Sequence, residues 1–135
     1  MLRETDVAYL AGLFDGEGSV QYKQYMRKRS HGKKAYPTWS IRLELAMTEK
    51  STVKWIHDFT GCGSFGERKV QPGRKRQWRW RCSHRDAFYV ACLMWPYSHT
   101  KLSMLNKILQ HYDFWKEKNV INMEDWKYAN MERKV

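Results

Sequence analysis

Cysteine, proline and long apolar runs are all scarce in this 135-residue chain. The three cysteines, Cys62, Cys82 and Cys92, form no CxxC pair and are odd in number, which argues against a disulfide framework and favours a reducing compartment. His84 follows Cys82 by two residues, a spacing that zinc sites do not use. No apolar run follows a basic start or approaches the length of a membrane-spanning helix. We therefore expect a soluble, intracellular protein with no membrane partner, in a cytoplasm or an organelle matrix.

Low-complexity stretches, proline-rich linkers and convincing internal repeats are missing as well, so we expect residues 1–135 to form a single domain. The chain does have the material for a core. Hydrophobic residues make up 42% of it and aromatic residues 15%. This composition favours a folded globular domain over a disordered tail.

Acidic residues are the remaining shortage. Lysine and arginine total 25 against 14 aspartate and glutamate, which gives a net charge of +11 and a pI near 9.7. Such a balance suits a polyanion, because each neutralised phosphate releases counterions. A generally basic surface or a protein that binds anionic lipid would have the same net charge. Nucleic acid is favoured because the charge is unevenly placed: residues 68–81 contain no acid at all.

Helical and strand periodicities alternate along the chain and predict an α+β domain with the order α-β-β-α-β-β-α-α and a short further helix. The predicted strands are Ser19–Arg29, Thr38–Thr48, Ser64–Val70 and Gln77–Cys82. The first two predicted helices are Thr5–Phe14, ended by Gly16 and Gly18, and Glu49–Thr60, ended by Gly61. A third helix is capped by Ser83 and Asp86 and ends before Pro96. A fourth runs from about Ser98 to Lys118, and a terminal helix begins at Asn122 and Asp125.

Alternation within the strands predicts how the sheet is arranged. In the second strand Trp39, Ile41 and Leu43 point one way, whereas Ser40 and Arg42 point the other. One apolar and one polar, partly basic face are typical of a four-stranded antiparallel sheet whose helices cover a single side.

One short segment carries candidate chemistry. Residues 10–18 read Leu-Ala-Gly-Leu-Phe-Asp-Gly-Glu-Gly, so an apolar helix delivers Asp15 and Glu17 to its C-terminal end beside two glycines. Glycine lets the backbone turn sharply and leaves a carbonyl accessible. A carboxylate beside a carbonyl is oxygen-rich ligation suited to Mg²⁺, and Mn²⁺ or Ca²⁺ could fill such a site. The alternative is an ordinary helix end with solvated acids.

Residues 10–18 resemble the LAGLIDADG motif, and the element order up to the last helix is similar to that of the LAGLIDADG homing endonucleases. The resemblance implies the homing-endonuclease fold, with the four-stranded antiparallel sheet in the DNA major groove and the motif helix packed against that of a second subunit. Family members with one motif per chain act as homodimers, and this chain has one motif. The resemblance also implies a site-specific enzyme that makes double-strand breaks in a long, near-palindromic target by metal-dependent phosphodiester hydrolysis.

Roles for individual residues follow from the same resemblance. Glu17 would bind the metal directly, with the Gly16 carbonyl close to the site, and Asp15 would cap or orient the turn. Glu49 would order the attacking water, and Lys101 would stabilise charge on the phosphate. The alternatives are a favourable acid in a helix's first turn for Glu49 and a solvated surface lysine for Lys101.

The expected DNA-reading residues occupy the polar sides of the strands, because arginine, glutamine and glutamate can each read base edges. They are Lys23, Tyr25, Arg27, Arg29, Ser40, Arg42, Glu44, Arg68, Gln77, Arg79 and Arg81. Phosphate contacts are expected from the loop residues Lys33, Lys34, Arg74, Lys75 and Arg76.

Close approach of a second subunit is expected at Ala8, Ala11 and Gly12, since small residues let two helices approach.

Two other functions remain open at this stage. The chain could be a DNA-binding regulator that keeps the fold without cutting, although Glu17 and Lys101 argue against that. It could also be an RNA maturase, although a sheet that reads a groove fits duplex DNA better than narrow-grooved RNA.

Overall fold

The computed structural model describes residues 2–28 and 34–112 of the chain. The described residues form four α-helices, four strands and one 3₁₀ turn in the order α-β-β-α-β-β-α-α. The helices are α1 (Glu4–Glu17), α2 (Lys50–Thr60), α3 (Arg85–Met94) and α4 (Leu102–His111), with the 3₁₀ turn Trp95–Tyr97 between the last two. The strands are β1 (Gly18–Arg27), β2 (Tyr36–Met47), β3 (Ser64–Arg68) and β4 (Gln77–Ser83).

The four strands form one antiparallel sheet in the spatial order β1-β2-β4-β3. Gly18 at the start of β1 lies opposite Leu45 near the end of β2, and Met47 of β2 lies opposite Trp78 at the start of β4. The end of α1, the end of β2 and the β3–β4 hairpin therefore meet at one end of the sheet. The predicted α+β fold class, with a four-stranded antiparallel sheet, is confirmed.

The core lies between the apolar face of the sheet and the helices. Leu43, Leu45 and Trp80 are at most 1% exposed and pack in one cluster with Leu10 and Phe14 of α1. The period-2 alternation of β2 and β4 places these side chains on the helix side. Gly18 is required at the junction of α1 and β1, because a β-carbon there would collide with the Phe14 ring.

The start of α3 differs from the predicted capping box. Ser83 is still part of β4 and lies opposite Arg42, so it does not cap the helix. The His84 N–H donates to the Ile41 carbonyl at 2.9 Å, which extends the ladder by one more bond. His84 turns the chain with φ 55°, and α3 begins at Arg85 without a side-chain cap. Pairing with β2 therefore overrides the local capping signal.

The other boundaries shift by a few residues. Gly16 lies inside α1, whose C-cap is Gly18. The turn at Gln71-Pro72-Gly73-Arg74 is confirmed: Gly73 has φ 86°, and the Arg74 N–H donates to the Gln71 carbonyl at 3.2 Å. Among the described residues, no helix combines the length and apolarity needed to cross a membrane. Several predictions lie outside the described residues: Arg29, Lys33, the helix beyond residue 112, and the terminal helix at Asn122 and Asp125.

Candidate active site and nucleic-acid interface

The residues of the motif divide between the two sides of α1. Leu10, Ala11 and Phe14 are fully buried in the core, whereas Gly12, Gly16 and Glu17 are exposed. Glu17 is the last residue of α1, and β1 begins at the next residue. The geometry therefore presents the Glu17 carboxylate and the last carbonyls of the helix at the protein surface, at the end of the sheet where the strands and the hairpin meet.

Asp15 connects this helix end to Lys101. Its Oδ2 accepts the His99 N–H at 2.8 Å and its Oδ1 accepts the Lys101 N–H at 3.1 Å. Both carboxylate oxygens thus accept hydrogen bonds from the backbone just before α4. The two donors are separated from Asp15 by 84 and 86 positions along the chain. Lys101 is half-buried and occupies the N-cap position of α4, so Asp15 holds the backbone from which its ammonium group projects.

A third hydrogen bond joins the same two segments at the start of α1. The Tyr97 hydroxyl donates to Glu4 Oε1 at 2.8 Å. Burial, together with this carboxylate, raises the pKa of Tyr97 to about 12, so the phenol remains a hydrogen-bond donor even well above neutral pH. The Tyr97–Lys101 segment is therefore anchored to both ends of α1, which limits how far Lys101 can move relative to Glu17.

Glu49 lies at the same end of the sheet as Glu17. It is the N-cap residue of α2 and follows the last residue of β2 by two positions, and Leu45 of β2 is the partner of Gly18. The Ser51 hydroxyl donates to Glu49 Oε1 at 2.8 Å, which orients the exposed carboxylate while leaving its second oxygen available. The Lys101 backbone is thus tied to the end of α1 through Asp15, and Glu49 lies beyond the end of the strand that pairs with Gly18.

The exposed end of α1 carries oxygen atoms of the kind that a hard divalent cation prefers. Carboxylate and carbonyl oxygens are the ligands that Mg²⁺ prefers, and Glu17 and Gly16 offer one of each at an exposed helix end. Within residues 2–28 and 34–112, however, no three His, Cys, Asp or Glu side chains are grouped so as to hold a metal.

Strand register places the predicted DNA-reading residues of the described strands on one face. Gln21 lies opposite Arg42, Lys23 opposite Ser40, and Arg68 opposite Gln77. This polar face, directed away from the helices, carries Lys23, Tyr25, Arg27, Ser40, Arg42, Glu44, Arg68, Gln77, Arg79 and Arg81. A continuous basic face of this kind can lie along a duplex.

The register also adds residues that the DNA-reading prediction omitted. Ser19, Gln21 and Thr38 share the polar face, and the same odd–even alternation along β1 and β2 is the signal that identifies them. Gln21 Oε1 is the one buried side-chain nitrogen or oxygen without a hydrogen-bond partner among the described residues. Such groups are costly unless something pairs with them, so Gln21 is a further candidate contact.

A groove of about 700 Å³ adjoins this face at the β3–β4 hairpin. Its lining is basic and polar and includes the predicted phosphate contacts Arg74 and Lys75 as well as Arg68 and Lys69. Arg76 behaves differently: its guanidinium binds both oxygens of Glu67 at 2.8 and 2.9 Å, which lowers the pKa of that carboxyl.

The predicted interface residues on α1 do not all face outward. Ala11 is fully buried among the subunit's own core residues, so it offers no surface to a second copy and its assignment was wrong. Ala8 is half-buried and Gly12 is exposed, with open space where a β-carbon would stand. The exposed side of α1 therefore runs along Ala8, Gly12 and Gly16, which are spaced four residues apart.

No family model and no curated protein matches this sequence. Solved structures do match. The homing endonuclease I-CvuI, in complex with its target in the presence of Ca, superposes with a TM-score of 0.64 at 19% identity, over 79% of this chain and 65% of that one. The archaeal intron-encoded homing endonuclease I-Vdi141I, complexed with DNA, also gives 0.64, at 10% identity over 98% of this chain and 85% of that one.

A third match is the LAGLIDADG homing endonuclease I-SmaMI bound to cleaved DNA, with a TM-score of 0.57 and 14% identity over 93% of this chain and 42% of that one. The chain thus spans about two thirds or less of the length of some of these proteins. Identities this low establish the backbone arrangement rather than individual residue roles. The chain has the fold of the LAGLIDADG homing endonucleases.

Proposed function

We propose that this protein is a site-specific DNA endonuclease that hydrolyses one phosphodiester bond in each strand of a duplex, with Mg²⁺ as cofactor, as a homodimer. The single observation that carries the proposal is the placement of Glu17. An acidic residue ends the motif helix at an exposed position, beside a sheet whose polar face carries several arginines and lysines and a single acid among the described strand residues. The DNA complexes of I-CvuI and I-Vdi141I, which share the fold, support the same function.

Each residue around the end of α1 has a distinct proposed role. A bound Mg²⁺ would supply Lewis-acid chemistry at the scissile phosphate. Glu17 and the Gly16 carbonyl would hold the cation, and Glu49 would accept a hydrogen bond from the attacking water. Lys101 would place its ammonium group against the charge that develops on the phosphate, where a positioned cation is most effective. Asp15 would keep Lys101 in place through the two backbone hydrogen bonds described above.

The homodimer is proposed because one subunit supplies too few carboxylates. Close packing of two α1 helices would bring two Glu17 side chains to the subunit boundary, and the exposed Gly12 leaves space for that approach. Two identical polar faces would then lie along one duplex, related by a two-fold axis.

The decisive experiment is a cleavage assay on duplex DNA that spans the uninterrupted version of the gene's insertion site, with and without Mg²⁺. Wild-type protein should cut both strands only with the divalent cation. Glu17→Gln should bind the same duplex with unchanged or slightly higher affinity, since it removes charge but preserves shape. Its cleavage should fall below detection.

Glu17→Asp is the matched variant, because it retains the carboxylate and should keep partial activity. Equal cutting by wild-type protein and Glu17→Gln would show that the metal site lies elsewhere. Binding without any cutting by wild-type protein would instead identify a regulator. Activity confined to splicing of the host intron would identify an RNA maturase.

A further inference from the structure

The polar face of the sheet contains a single acid among the described strand residues, Glu44 in the central strand β2. Its neighbours in the adjacent strand β4 are arginines. Arg81 lies directly opposite Glu44, and Arg79 lies diagonally, opposite Ala46. A carboxylate in the middle of a surface that binds DNA lowers the attraction of that surface for phosphates. We therefore expect Glu44 to have a role other than phosphate binding.

Glu44 is bound by both arginines through one oxygen. Arg81 Nε and Nη2 each lie 2.9 Å from Glu44 Oε1, and Arg79 Nε lies 3.6 Å from the same atom. The three side chains are only 25–36% exposed, with Glu44 the least exposed, so this cluster is partly shielded from solvent. Charge-assisted bonds of this geometry restrain a guanidinium more strongly than an exposed pair does.

Glu44 is the only charged residue directly opposite Arg79 or Arg81 in the described sheet. Arg79 lies between Ala46 and Gly66, neither of which has a polar side chain, and Arg81 lies between Glu44 and Ser64. A β-carbon on Gly66 would meet nothing within 4 Å, so the space beside Arg79 is open. Glu44 is therefore the group that decides where both guanidinium groups point.

Each guanidinium has five N–H donors, and Arg81 uses one edge on Glu44. The remaining donors can address a base. A guanidinium that is already oriented loses less side-chain entropy on binding, and guanine offers the paired O6 and N7 acceptors that arginine recognises best in the major groove.

We propose that Glu44 is a specificity-determining positioning residue: it holds Arg79 and Arg81 off the phosphates and presents Arg81 to a G·C base pair of the target. The inference rests on the proposed function, since it needs a duplex on the polar face. It differs from the expectation that Glu44 itself reads a base edge, because Glu44 would act on the target through the arginines that bind its Oε1.

The test compares Glu44→Ala with wild-type protein by selection from a randomised-site DNA library and by binding at several salt concentrations. Discrimination for G·C at one position per half-site should fall about fivefold to 150-fold, the range for one bidentate contact. Affinity for unrelated duplex should rise, because the freed arginines can contact phosphates. The slope of log affinity against log salt should steepen by about 0.9 for each phosphate gained.

Glu67→Ala is the matched control. It removes the same charge and also breaks a carboxylate–arginine pair, with Arg76, but Glu67 lies opposite Trp78 on the other face of the sheet. Its base preferences should match the wild type. Arg81→Ala should lose the same base preference as Glu44→Ala, and the double variant should lose no more.

Glu44→Gln preserves the shape of the side chain and replaces Glu44→Ala in the test if that variant does not fold. It should show the same changes in base preference and salt dependence, but smaller ones. Unchanged base preference in Glu44→Ala and Glu44→Gln, from a protein whose wild type selects a site, would overturn the inference. A wild-type protein that selects no site would instead overturn the proposed function on which the inference rests.

Discussion

At the scale of single residues, Asp15 shows how a motif position can act at a distance along the chain. The resemblance implies a metal ligand at Glu17 and a residue that caps or orients the turn at Asp15, and the two side chains have different surroundings in the structure. Glu17 is exposed at the helix end, whereas both oxygens of Asp15 accept backbone N–H groups from His99 and Lys101. Hydrogen bonds to a carboxylate are stronger than those between neutral groups, so this contact can hold the Lys101 backbone.

We expect Asp15→Ala to lower the cleavage rate by on the order of 10²-fold, the effect of misplacing a catalytic group by about 1 Å. DNA binding should stay near wild type, because Asp15 is not on the polar face of the sheet. The measurement is single-turnover cleavage together with equilibrium binding.

A double variant distinguishes positioning from general destabilisation. In a Lys101→Ala background with measurable residual cutting, Asp15→Ala should cause little additional loss, since the group that it positions is already gone. A full, independent loss in the double variant would mean that Asp15 does not act through Lys101. Asp15→Asn, which keeps one acceptor oxygen, should fall between the wild type and Asp15→Ala.

At the scale of elements, α1 combines two surfaces in fourteen residues. Its buried side packs against the sheet through Leu10 and Phe14. Its other side exposes Gly12 and Gly16, together with Tyr9, which is 53% exposed and packs edge-on against Trp55. The large aliphatic and Phe side chains of the helix therefore serve the chain's own core, and the glycines lie on the exposed side.

We expect Gly12→Leu to leave the subunit folded but to weaken the homodimer by about 1–3 kcal/mol, because the added side chain would overpack a close helix contact. Folding should be retained because a β-carbon at Gly12 meets nothing within 4 Å in one subunit, and leucine favours helix more than glycine does. Sedimentation at several concentrations measures the dissociation constant.

Ser103→Leu is the control for added surface hydrophobicity, since Ser103 is an exposed position on α4. Its dimer affinity should equal that of the wild type. A wild-type protein that is a monomer at micromolar concentration and still cuts both strands would contradict the dimer altogether.

At the scale of the whole molecule, charge and symmetry determine the expected target. On the proposed function, the net charge of +11 would supply a general affinity for DNA, and the polar face orders part of that charge into rows. Two copies related by a two-fold axis present the same rows in opposite directions along a duplex.

The selected DNA site should therefore be a near-palindrome, with matching preferences at symmetry-related positions. Randomised-site selection followed by sequencing measures this directly. Selection of a site without two-fold symmetry would rule out docking by two identical faces.

Much of this arrangement follows from the sequence alone, because the signals are local. Alternation in β2 and β4 separates a buried face from a polar one, Gly61 ends α2 with φ 70°, and Pro72–Gly73 makes the hairpin turn. The order of elements and the placement of Glu17 at a helix end need no more than residues close together in the chain.

Tertiary structure decided the contacts between distant residues. The Asp15 bonds to His99 and Lys101, the cluster of Glu44 with Arg79 and Arg81, and the burial of Ala11 all depend on strand register and helix packing. Ser83 carries a local capping signal, yet pairing with β2 keeps it in a strand. Periodicity states which face a side chain occupies, but its partner is set by which segments lie beside it, and that depends on the packing of the whole chain.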